Sequence, residues 1–78
     1  MEAWPDEGAY QGALGWALFK KQPPEVELAQ KHLERAVQLS PQDAEQWQRL
    51  SLLLRATGDT AQADQALAKA TALDPSLA

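Results

Sequence analysis

Six residues of this chain recur at one fixed offset. Ala29, Leu33, Ala36, Leu39, Pro41 and Ala44 return as Ala63, Leu67, Ala70, Leu73, Pro75 and Ala78, each 34 residues later (63 − 29 = 34). A period of this length belongs to chains that stack small helical hairpins, in which each unit buries one face on its neighbour. The composition agrees. Hydrophobic residues make up 45% of the 78 positions, but alanine supplies much of that and aromatics only 6%. Alanine favours helices and lets them approach closely, whereas strands need β-branched and aromatic side chains. The chain reads as all-helical and as one domain near the lower size at which a single core holds together, so modest stability is expected. It has no cysteine, which excludes disulfides and thiolate–metal sites and leaves the redox compartment unspecified.

Stop and start signals divide the chain into four helices. Residues 1–7 carry Trp4-Pro5 followed by acids and no period, and read as an extended lead with an N-cap at Asp6. The first helix is expected from Gly8 to about Lys21, with Gln11, Leu14, Gly15 and Leu18 on one side and Trp16 and Phe19 on another. Pro23-Pro24 stops it, and Pro24 suits the first turn of a second helix running to Leu39. The buried stripe of that helix is read as Leu28/Ala29, Leu33, Ala36/Val37 and Leu39, with Glu27 and Lys31 as an outer i,i+4 pair. Ser40-Pro41 ends it. Asp43 with Gln46 resembles a capping box for a third helix bearing Trp47, Leu50, Ser51, Leu53 and Leu54. Gly58 suits the left-handed residue after that helix, Asp59 with Gln62 repeats the cap, and the fourth helix spans residues 60–73 before Asp74-Pro75. Connections this short join antiparallel neighbours, giving two helical hairpins.

Residues 44–75 resemble one full tetratricopeptide repeat. Trp47 and Leu50 match the opening WxxL, Ser51 replaces the usual Gly, Leu54 replaces the usual Tyr, and Gly58 lies at the turn. Ala63, Leu67 and Ala70 match the second half, with Leu for Phe, and Leu73-Asp74-Pro75 matches the LDP ending. Upstream, Ala29, Leu33, Ala36 and Leu39-Ser40-Pro41 give the second half of a preceding repeat, over about residues 8–41. The first half admits two registers. Placing Leu14-Gly15 at the LG pair makes the turn two residues longer; placing Trp16-Ala17 there needs no insertion but puts Lys20 at a packing position. The first is preferred because it keeps a lysine out of the core. The resemblance implies two stacked antiparallel helix-turn-helix hairpins forming a right-handed superhelical fragment.

In this family the first helix of each hairpin lines a concave groove that takes extended or helical peptides. The resemblance therefore implies a partner-binding surface from Trp16, Phe19, Glu45, Gln48, Leu52 and Arg55, with Gly12 and Ala13 beside it. Such a floor suits a peptide with aliphatic anchors and one acid. Trp16 and Phe19 equally serve as core in the other register, or lie under the Trp4-Pro5 lead. Family members that grip the acidic tails of heat-shock chaperones use Lys and Asn at positions held here by Gln48 and Leu52, so that role is not expected. Trp47, spaced with Leu50 and Leu54, reads as packing.

Other classes of function find little support. A net charge of −4 and a pI near 4.7 disfavour nucleic acid and anionic membranes, which need concentrated basic surface. The one adjacent basic pair, Lys20-Lys21, suits a helix C-terminus. No apolar run reaches the roughly 18–20 residues of a membrane span, and the N-terminus is acidic where a signal peptide is basic. A cytoplasmic location is expected if the chain is complete. His32 is the lone histidine and has no acid at i±4, so an exposed helix position is expected for it. Carboxylates are spread out, and no glycine-rich phosphate loop exists. No enzyme activity, cofactor or metal is expected.

Two repeats fall short of the three normally needed to bury a solenoid core. Leu53 and Ala66 of the last hairpin are therefore expected to be incompletely covered, to be closed by self-association as a homodimer, by a partner, or by a parent chain. The functional expectation is a protein-protein interaction module holding a peptide or helix in its groove. The alternative is an assembly scaffold without a dedicated peptide site.

Overall fold

The computed structural model describes residues 7–77. Four α-helices of 14 residues follow one another: α1 (Glu7–Lys20), α2 (Val26–Leu39), α3 (Ala44–Thr57) and α4 (Thr60–Leu73), with a 3-10 turn at Pro75–Leu77. Among the described residues there is no strand. α1 packs on α2 and α3 on α4, and the two hairpins meet where α3 lies against α2 and α1. The N-cap assigned to Asp6, and the rest of the lead before Glu7, lie outside the described residues.

Local chemistry sets the boundaries. The Asp43 carboxylate accepts from the backbone N–H of Glu45 at 3.1 Å and from the Gln46 amide at 3.2 Å. The Asp59 carboxylate accepts from the Gln62 N–H at 3.2 Å. Each satisfies donors that a helix start leaves unpaired. Gly58 takes a φ of 92°, and the N–H groups of Gly58 and Asp59 donate back to Arg55 and Leu54, which closes the carbonyl end of α3. The first hairpin turns differently. α2 starts at Val26, so Pro24 lies in the connection and not in the helix's first turn. That connection holds a cis Gln22–Pro23 peptide and is tied down by the Glu25 N–H donating to the Leu18 carbonyl.

The core follows the repeated positions. Ala29, Leu33 and Ala36 of α2 and Ala63 and Ala70 of α4 have no exposed surface. Leu33 and Val37 share one cluster with Leu50, Leu53, Leu54 and Ala66, joining the two hairpins. Two stripe residues are corrected. Leu28 and Leu39 are 42% and 43% exposed, Leu28 because it sits a 100° step from the Ala29–Leu33–Ala36 line. Leu53 and Ala66, expected to be poorly covered, are buried. Leu53 stands with Gln46 and Leu50 on the side of α3 turned to the first hairpin. Ala66 is closed within the second hairpin, since α4 packs only on α3 and the 3-10 turn.

Two glycines set how α1 seats. A Cβ at Gly15 would stand 2.8 Å from the Ala29 carbonyl oxygen and 2.9 Å from Leu33 Cγ, so the α1–α2 crossing requires hydrogen there. Gly12 does the same for α3, because the Gln46 side chain lies where its Cβ would be. Gly15 is buried whereas Ala17 and Lys20 are exposed, which is the Leu14-Gly15 register. Gly15 precedes Ala29 by 14 residues and Ser51 precedes Ala63 by 12, so the first turn is two residues longer.

Candidate functional site

The register pairs α1 with α3 at an offset of 36, so Gly12, Trp16 and Phe19 correspond to Gln48, Leu52 and Arg55 (48 − 12 = 52 − 16 = 55 − 19 = 36). In α1 this line runs along the junction with the second hairpin. Gly12 is buried against Gln46, and Phe19 packs on the shared core. The Trp16 ring is half-buried, lies 5.5 Å from the Phe19 ring and has the Arg49 guanidinium of α3 at 5.9 Å. In α3 the same line is open: Leu52 is 45% exposed, Arg55 is exposed and Gln48 half-buried. The six residues therefore do not form one patch of uniform exposure. Trp16 and Phe19 serve partly as packing, Leu52 and Arg55 are exposed, and Glu45 is exposed one turn earlier.

Charge is concentrated around the Trp16 ring. Lys20 lies over it at 5.3 Å, and Arg49 on its other neighbour helix also donates to the Glu45 carboxylate at 3.0 Å. The electron-rich face of the indole attracts both cations. Arg49 was not among the residues expected at this surface, although Glu45 and Arg49 at i,i+4 are a signal for their pairing. Arg55 pairs with Asp64 of α4 at 3.3 Å, an exposed ion pair worth little to stability.

The first hairpin carries a second feature, an open hollow of about 520 Å3 lined by residues that include Gln11, Leu28, His32, Arg35 and Gln38. Its origin lies in the repeat. The counterpart of Gln11 is Trp47, whose ring lies under Lys69 at 5.6 Å and whose Nε1–H donates to the Pro41 carbonyl at 2.9 Å. Lys69 is the counterpart of Arg35 (69 − 35 = 34). An indole fills this position in the second hairpin, and a shorter amide leaves it open in the first. His32 is half-buried, not exposed as expected, and its Nδ1 is 2.6 Å from Gln11 Oε1.

Among the described residues there is no cluster of three or more His, Cys, Asp or Glu able to hold a metal ion. No helix there is long and apolar enough to cross a membrane. Among the described residues ion pairs join Lys21 to Glu25, Arg49 to Glu45 and Arg55 to Asp64, and not Glu27 to Lys31 as expected. What the geometry offers is surface for contact, the exposed Leu52 with Gln48 and Arg55 beside it.

Comparison with known proteins gives the same assignment. The family model described as tetratricopeptide repeat matches residues 44–77. No curated protein and no solved structure matches the chain. The second hairpin thus matches the tetratricopeptide repeat, a family whose members generally bind other proteins, and the four helices are consistent with two such repeats.

Proposed function

We propose that this chain is a non-catalytic interaction module that holds a partner segment along α1 and α3, on the surface made by Trp16, Phe19, Glu45, Gln48, Leu52 and Arg55, and that it works as a pair of copies. The observation that carries the groove is Leu52, an aliphatic side chain 45% exposed in the middle of α3 with Gln48 and Arg55 beside it. Leu52 offers an anchor for an aliphatic residue. Lys20 and Arg49, gathered at Trp16, offer the complement to one acid. The partner segment is therefore a short peptide or helix carrying an aliphatic anchor and a carboxylate.

The test is selection of a random peptide library on the immobilised chain, followed by binding to the double variant Leu52→Glu, Arg55→Glu. Binders should carry aliphatic and acidic residues, and the variant should lose at least about tenfold in affinity, the loss of one good anchor, with its helical circular dichroism unchanged. Equal binding by the double variant removes this surface from the assignment.

A scaffold role without a peptide site is the second reading, favoured by Tyr10, which is 64% exposed on α1 away from both neighbouring helices. A dimer that buries Trp16 and Leu52 together at its interface would select the scaffold. One that leaves Leu52 open would select the receptor.

A further inference from the structure

The two ends of the stack are chemically unlike. The side of α3 turned to the first hairpin carries Gln46, Leu50 and Leu53, all buried. Its counterpart on α1 carries Tyr10, Leu14 and Ala17 at the same offset of 36, and no described element covers it. Tyr10 and Ala17 are exposed and Leu14 half-buried. Extended by one step each way, the line reads Glu7, Tyr10, Leu14, Ala17, Lys21, a spacing of 3, 4, 3, 4 residues. That is the seam of a helix pair. Glu7 is exposed in the first turn and Lys21 follows the last residue of α1.

We infer that this face of α1 docks on the same face of a second copy, antiparallel about a two-fold axis. The seam is self-complementary in that orientation. Leu14 meets its own mate at the axis, the large Tyr10 meets the small Ala17 of the other copy, and Glu7 meets Lys21 at both ends, where the exposed ammonium that pairs with Glu25 in its own chain is shared with the second carboxylate. The helix dipoles then oppose, and each acid and base sits at the helix end that favours it. A parallel pairing would set Glu7 on Glu7.

The other end does not accept a copy. α3 fits α1 because Gly12 makes room for Gln46. The residue matching Gly12 on the outer face of the second hairpin is Gln48, and the residue that would enter there from another copy's α1 is Tyr10. Two long side chains meet where glycine is needed. Thr71 and Asp64 on α4 further replace Val37 and Gln30 of α2, which makes that face polar, as a terminal face must be. Pairing through α1 therefore closes at two copies and does not run on into a filament. The inference sharpens the pairing proposed above and is independent of the peptide surface.

A helix of 14 residues is ~21 Å long, and a pair of this length buries on the order of 1,000 Å2, the low end for specific contacts. The expected dimer is weak. Sedimentation equilibrium of the full chain should show the mass rising from 8.5 kDa towards twice that value and levelling there. Ala17→Glu, an exposed position, should hold it at the monomer with unchanged helicity, and Leu52→Glu should leave the dimer intact. Glu7→Lys should weaken pairing by about fivefold and Glu7→Lys with Lys21→Glu should recover part of it, because the two surface ion pairs are re-formed with each charge at the less favourable helix end. Since the chain has no cysteine, Leu14→Cys should cross-link on mild oxidation and Leu52→Cys should not. Monomer mass through 1 mM, mass climbing past the dimer, or a dimer broken by Leu52→Glu and not by Ala17→Glu each overturns the inference. None of these outcomes alters the peptide-selection result, which tests the other surface.

Discussion

The two hairpins share their small positions, Ala29 with Ala63 and Ala36 with Ala70, and differ in which helix carries bulk at one crossing. In the first, Gly15 of α1 lies against Ala29 and Leu33 of α2, and α2 also carries His32 and Val37. In the second, α3 carries Trp47, Leu50 and Leu54, and α4 supplies Ala63, Ala66 and Ala70. The exchange is visible position by position: Trp47 stands where the first hairpin has Gln11, and Ala66 where it has His32. At this crossing bulk has moved from the second helix of the hairpin to the first. The hollow beside His32 is where this exchange falls short, since Gln11 and His32 together leave space that the indole of Trp47 fills in the second hairpin.

Core truncation should break the comparison most strongly. Leu33 has no exposed surface and joins both hairpins, whereas its counterpart Leu67 is half-buried at the open end. Leu33→Ala should cost about 2–5 kcal/mol in urea unfolding and leave a chain this small largely unfolded at 37 °C. Leu67→Ala should cost less than half as much. Equal losses would show that the outer face of the second hairpin is covered after all.

The Gly12 contact sharpens the junction. Gly12→Ala puts a methyl group on the Gln46 amide and should destabilise by roughly 1–3 kcal/mol, because a buried polar side chain must move. Gln46 Oε1 has no hydrogen-bond partner among the described residues, so removing that amide relieves an unmet acceptor. The double variant Gly12→Ala, Gln46→Ala should recover most of the loss, measured as coupling in a double-mutant cycle. Simple additivity would detach Gly12 from Gln46.

The smallest expected effects come from the caps. Asp59→Ala should cost about 1 kcal/mol, as the loss of a side-chain N-cap does, read as a shift in thermal midpoint. Asp43→Ala should cost somewhat more. Its carboxylate holds both a backbone N–H and the Gln46 amide at the junction. If the two shifts are equal, the Gln46 contact contributes nothing.

The sequence exposed the architecture because period, caps and stops are local or strictly repeated. Asp43, Asp59 and Gly58 act where the pattern placed them, and the Leu14-Gly15 register holds. Side-chain surroundings were less legible because they depend on which neighbour a helix meets. Gly12 looks like floor on a helical wheel and lies in a junction; Leu53 looks like end surface and is fully buried. His32 looks solvated, yet Gln11, 21 residues away, brings it into partial burial. Among the surface residues, Leu52 and Arg55 are legible as exposed, and Arg49 becomes visible only once α3 is set beside Trp16.

Trp16 and Trp47 sit in environments that separate cleanly. One is at the contact between hairpins beneath Lys20 and Arg49, the other inside the second hairpin beneath Lys69. With Trp4 and one of these replaced by phenylalanine, the remaining indole becomes a fluorescence gauge of a single place. If Trp16 emission shifts to the red at lower denaturant than Trp47 emission, the hairpins part company before either melts. Superimposable curves would instead make the junction as strong as the units it joins.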